Sequence, residues 1–114
     1  MSDCLFCAIV AGDIPADIVY SDDVAIAFRD LNPQAPTHVL VIPRAHHDNA
    51  GAVGTADPAL GGALLAAAAR VAAQEGIDGE GYRIVANTGA HAGQTVFHAH
   101  LHVLGGRPMA WPPG

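Results

Sequence analysis

His98-Ala99-His100-Leu101-His102-Val103-Leu104, close to the end of a 114-residue chain, sets three of its seven histidines at every second position. That period of two belongs to a strand, whose successive side chains point to opposite faces. The three imidazoles then share one face, while Ala99, Leu101 and Val103 fill the other. At a rise of roughly 3.3 Å per residue, His98 and His102 lie about 13 Å apart. One metal ion cannot gather all three from a single regular strand, so the row must divide its duties.

Neighbouring stretches supply the rest of a sheet. Ile18-Val19-Tyr20 and Val24-Ala25-Ile26-Ala27-Phe28 read as a hairpin turning at Ser21-Asp22-Asp23. His38-Val39-Leu40-Val41-Ile42 reads as a central strand closed by Pro43, and Tyr82-Arg83-Ile84-Val85-Ala86 as another. Cys4 to Val10 predicts a short helix that ends at Ala11-Gly12-Asp13. Asp57 as N-cap and Pro58 at N1 open a long helix, with Leu60, Leu64, Ala67 and Val71 at helical spacing and Gly76 as its stop. Gly61 and Gly62 weaken its first turn by about 1 kcal/mol each relative to alanine. One long and one short helix on an antiparallel sheet make an α+β fold, and residues 1–114 suit one domain without a linker.

The composition narrows the function classes. Formal net charge is −6, with five arginines and no lysine, so the basic footprint of a nucleic-acid binder is missing. The apolar runs are too short to span a membrane. Met1-Ser2-Asp3-Cys4 lacks the basic and apolar regions of a secretory leader, and a cytoplasmic location is expected. In a reducing compartment the C-x-x-C of Cys4 and Cys7 points to metal or redox chemistry more than to a disulfide.

A neutral imidazole can act as a nucleophile and form a covalent intermediate, given the right tautomer and donors for the group it attacks. The loop from Gly89 to Thr95 is expected to supply those donors, from backbone N–H groups and the Gln94 and Thr95 side chains. The competing reading is a surface strand of solvated histidines. Cys4 and Cys7, with His98 and either His46 or His47, would complete a closed Cys2His2 zinc site, against a plain buried or redox pair of cysteines. Asp30 could accept hydrogen bonds from a ribose diol, with Phe28 and Leu31 as apolar surface for a base. An aspartate opening a proline-rich loop more commonly caps a turn.

Together these motifs resemble the histidine-triad (HIT) superfamily, whose signature is His-φ-His-φ-His-φ-φ with φ an apolar residue. Ile14-Pro15-Ala16, Asp30-Leu31-Asn32-Pro33-Gln34-Ala35-Pro36-Thr37-His38, Val41-Ile42-Pro43, Gly81-Tyr82-Arg83, Gly93-Gln94-Thr95 and Trp111-Pro112-Pro113-Gly114 are similar to its nucleotide-binding (Hint) branch. The resemblance covers nearly the whole chain. It implies a sheet of about five strands, and a homodimer whose sheets join across the interface. It also implies hydrolysis of purine nucleoside 5′-phosphoramidates or acyl-nucleotides through a nucleotidyl-histidine. By position His100 matches the nucleophile, His102 the phosphate contact, His38 the residue that orients the nucleophile, and Asp30 the ribose carboxylate, which displaces the turn-cap reading. Asn87 and Gln94 match polar residues of the phosphate site. Thr95 stands where a serine assists the leaving group, and Trp111 matches an aromatic that reaches the partner's active site. Cys4, Cys7, His46 and His98 match the positions of a structural zinc ion. Three rivals share parts of this pattern: a nucleotide-binding module with weak turnover, a dinucleoside polyphosphate hydrolase, and a hydrolase with catalytic zinc on the histidine strand.

Overall fold

The computed structural model describes residues 4–114, so residues 1–3, on which the reading of a leader rests, lie outside the described residues. The first hairpin joins β1 (Ile18–Ser21) to β2 (Ala25–Arg29), and Asp22 closes it by accepting from the Val24 and Ala25 N–H groups at 2.9 and 2.8 Å. β3 (Thr37–Pro43) pairs with β2 on one side and with the last strand on the other, which explains why every one of its residues is buried. With β4 (Tyr82–Val85) and β5 (Leu101–Gly105) the sheet has five antiparallel strands in the order β1-β2-β3-β5-β4.

Alternation along the strands sorts side chains between two unlike faces. Ala25, Ala27, Val39, Val41, Ala99, Leu101 and Val103 point to one face, where they pack on Leu60, Leu64, Ala67, Ala68, Val71 and Ala72. Those residues belong to α3 (Pro58–Gln74), capped at Asp57 by its side chain on the Leu60 N–H at 3.2 Å and followed by Gly76 at φ +74°. Ile26, Phe28, Leu40 and Ile42 point the other way and are met by Phe6 and Ile9 of α1 (Leu5–Ala11). Helix α1 is only 7 residues long and covers part of that face. The remainder is an open cleft.

Two expectations need correction. Among the described residues there are three α-helices, because Ala50–Ala56 forms α2, capped by Asn49 on the Ala52 N–H at 2.8 Å. Gly51 and Gly54 hide this helix from a propensity reading, since glycine costs about 1 kcal/mol in a helix interior. The two helices lie side by side, since a Cβ added at Gly61 of α3 would sit in ordinary contact 3.7 Å from the Gly54 Cα, whereas a Cβ at Gly54 itself would meet nothing within 4 Å, so the crossing does not require that glycine. Secondly, the histidine row is not one strand, because β5 begins at Leu101. Pro43, the last residue of β3, has no N–H for a β5 extended backwards. The Ala99 N–H bonds instead to the His47 carbonyl at 2.6 Å. The sorting of residues 98–103 between the two faces nonetheless follows the expected alternation.

Candidate functional site

His100 sits 9% exposed at the head of β5, with its Nδ1 2.7 Å from the His98 carbonyl oxygen. A carbonyl only accepts, so Nδ1 carries the hydrogen and the lone pair of the neutral ring is at Nε2. A second chain of bonds fixes two more rings. The Gln34 N–H donates to His38 Nδ1 at 3.0 Å, which leaves the His38 hydrogen on Nε2. That Nε2 lies 2.9 Å from His102 Nδ1 and 3.4 Å from Asp30 Oδ2, so it donates chiefly to His102. The hydrogen of His102 is then on Nε2. One lone pair, on His100, and one N–H donor, on His102, result on rings whose centroids are 5.1 Å apart.

For His38 and His102, neutrality follows from their surroundings. Burial pushes His102 down to about 4, assisted by the positive charge His100 and His38 would carry if protonated. Burial also lowers His38, although the Asp30 carboxylate opposes the shift. Asp30 does cap a turn. Its Oδ1 accepts from the Asn32 N–H at 2.8 Å, as a turn cap does, and its other oxygen is the one beside His38.

These groups border a cleft of about 270 Å³ lined by Phe6, Ile9, Ile14, Phe28, Asp30, Leu31, Leu40, Thr95, Val96, His100 and His102 among others. Phe28 is buried in its floor, whereas Leu31 is fully exposed at its rim. The 89–95 loop differs from expectation. Gly89, Ala92, Gly93 and Gln94 spend their N–H groups on bonds within the loop, three of them on backbone oxygens and Gly89 on Gln94 Oε1 at 2.9 Å. Gln94 Nε2 donates to the carbonyls of Asp48 and Val96 at 2.7 and 3.1 Å, so its amide braces the loop. Asn87, half-buried beyond β4, is not among the residues that line the cleft. Thr95 lines it and is exposed. Trp111 is 82% exposed. Phe6 was not anticipated; its place between the two cysteines is the signal that could have found it.

On the far side of Phe6 a second cluster gathers Cys4, Cys7, His46 and His98. The His98 Nε2–H donates to the Pro43 carbonyl at 2.8 Å, and His46 Nε2 lies 3.3 Å from Asp48 Oδ1. Both Nδ1 lone pairs therefore face inward. They are 3.2 Å from each other, and His98 Nδ1 is 3.4 and 3.5 Å from the Cys4 and Cys7 sulfurs. Such separations match the edges of a tetrahedron with metal–sulfur bonds of about 2.3 Å and metal–nitrogen bonds of about 2.0 Å. Two inward lone pairs at that range repel unless a cation lies between them. The donor set fits zinc, and it is His46, not His47, that stands in the cluster.

The row of histidines thus places one ring in a Cys2His2 cluster, one lone pair at the cleft and one N–H donor beside it within one short segment. A family model for the HIT domain matches residues 11–109. The chain belongs to the HIT family. A HIT-like protein of Synechocystis sp., itself uncharacterized, is 54% identical over 112 residues, covering 98% of this chain and 97% of that protein. The purine nucleoside phosphoramidase of Escherichia coli K12 is 47% identical over 105 residues, covering 92% and 88%. The crystal structure of a HIT family hydrolase from Legionella pneumophila Philadelphia 1 superposes with a TM-score of 0.94 at 48% identity, covering 98% of this chain and 100% of that one. The HIT fold of this chain is accordingly the expected α+β arrangement.

Proposed function

We propose that the protein hydrolyses purine nucleoside 5′-phosphoramidates, and acyl-nucleotides of the same kind, through a nucleotidyl-His100 intermediate. The observation that carries this reading is the bond from His100 Nδ1 to the His98 carbonyl, which leaves Nε2 as a lone pair at the cleft. The likeness to the E. coli phosphoramidase supports the substrate class. The base would lie over Phe28 and the rim residue Leu31, with the ribose diol on Asp30. His100 Nε2 attacks phosphorus as the P–N bond breaks, and the departing amine takes the His102 Nε2 hydrogen or that of the Thr95 hydroxyl. Water then attacks the phosphorus of nucleotidyl-His100 and returns a proton to the group that gave one. The P–N(His100) bond breaks, and the nucleoside monophosphate and free imidazole are restored.

Zinc held by Cys4, Cys7, His46 and His98 would tie α1 to the sheet and takes no part in these steps. The proposed homodimer joins two copies along β4, an edge strand whose four residues are all half-buried. The exposed Trp111 would then meet the partner. Rapid quenching of the protein with an AMP-amine substrate is expected to trap AMP on His100, and His100→Ala to lose turnover by a factor of about 10³ or more. Wild-type turnover in that variant would refute the assignment.

A further inference from the structure

We propose that the Cys4–Cys7–His46–His98 cluster, when it holds a metal ion, positions the nucleophile and sets its tautomer. The proposal rests on the reading of His100 as the nucleophile, and it begins from where His100 stands. Residues 98–100 lie outside every strand, so no ladder holds them. Their backbone has one anchor to the neighbouring turn, the Ala99 N–H on the His47 carbonyl. The other anchor is the His98 side chain, which is completely buried between the Pro43 carbonyl and the cluster.

His98 therefore faces two ways. Its imidazole Nδ1 belongs to the cluster, while its own carbonyl receives the His100 Nδ1–H. A displacement of the first displaces the second. The cluster reaches His100 along another route as well. Phe6 lies between Cys4 and Cys7 in sequence and is 4% exposed. Its ring meets His98 edge-on at 5.9 Å and His100 at 5.1 Å with an interplanar angle of 86°. Gathering the two cysteines fixes the turn that carries Phe6, and so fixes one wall of the His100 ring.

Loss of the ion leaves the His46 and His98 lone pairs opposed at 3.2 Å. Their repulsion separates the rings and moves His98. His100 then loses its acceptor and exchanges between tautomers, and in one of these Nε2 carries a hydrogen and cannot attack. His98 and Phe6 act through His100 and are positioning residues.

The test compares metal-loaded and chelator-stripped protein labelled with ¹⁵N, by long-range ¹H–¹⁵N spectra at pH 8 without substrate. The loaded protein is expected to show His100 as a single Nδ1–H species, and the stripped protein a mixture of tautomers. On an AMP-amine, stripping should lower kcat about tenfold or more while KM stays within about twofold. A stripped, folded protein with the loaded spectrum and unchanged kcat would overturn the proposal and leave the cluster a purely structural staple. If stripping unfolds the chain, Phe6→Leu with its metal content verified takes over. A mixed His100 spectrum, restored by Phe6→Tyr, supports the coupling; an unaltered spectrum overturns it. Because the spectra need no turnover, their failure is separate from failure of the nucleophile assignment, which would show as activity in His100→Ala.

Discussion

Gln94 illustrates how a residue's partners add a task that its type alone does not show. An amide beside a histidine row suggests a phosphate contact, yet both its hydrogens are given to the carbonyls of Asp48 and Val96. Gln94→Met would strand those two acceptors and the Gly89 N–H, at a cost of about 1–3 kcal/mol for each group left buried and unpaired. Urea unfolding should register that loss while AMP affinity changes little. A tenfold loss of affinity at unchanged stability would return Gln94 to the phosphate site. His102 makes a prediction about pH. Its value in the folded protein is about 4, against about 6.5 in an unfolded chain. Below about 6.5 the unfolded chain takes up a proton that the folded ring refuses, so stability is full above that pH and falls on acidification towards 4. His102→Gln removes this term, and its stability relative to wild type should improve as the pH is lowered through that window. A constant difference from pH 7.5 to 4.5 would contradict it. Tautomers themselves were beyond the reach of sequence. They depend on the carbonyls of His98 and Pro43, which any residue type would offer, and on the N–H of Gln34, which any residue type but proline would offer.

Elements that declare themselves by caps and period were legible. The Asp57-Pro58 start of α3 and the Gly76 stop were read from residue type alone, because those positions have chemistry that few residues satisfy. Asp57 also ends α2, its N–H bonding to the Val53 carbonyl at 2.8 Å. Asp57→Ala should lower the unfolding free energy by about 1 kcal/mol, and Asp57→Asn by much less, since asparagine caps equally well. Equal loss in both would implicate the charge instead. Helix α2 escaped notice for the converse reason: its glycines lower its propensity, while the Val53 contact with the core that holds it is a tertiary fact. The start of β5 escaped because the alternation of faces continues through His98 and His100 after the strand pairing has ended. Side-chain period records which way residues point, and hydrogen-bond pairing is a separate property.

For the molecule as a whole, the family and the antiparallel sheet could be read from motifs distributed from Ile14 to Gly114, while the association of copies is a property of surfaces. The proposed dimer predicts twice the monomer mass by light scattering, and a charged substitution on edge strand β4 away from the core clusters, Val85→Asp, should dissociate it at micromolar concentration. A monomer in the wild type would remove Trp111 from any role in catalysis. The half-length cover that α1 provides has one more consequence. Phe6, Phe28 and Leu40 are counted in the hydrophobic core, and the same three side chains line the cleft. Ligand recognition and thermal endurance therefore share a common set of atoms. A mutation that enlarges the cleft for a bulkier base excavates the interior in the same stroke, so selection for new specificity in this scaffold should proceed through the exposed rim at Leu31 and Thr95 before it reaches the floor.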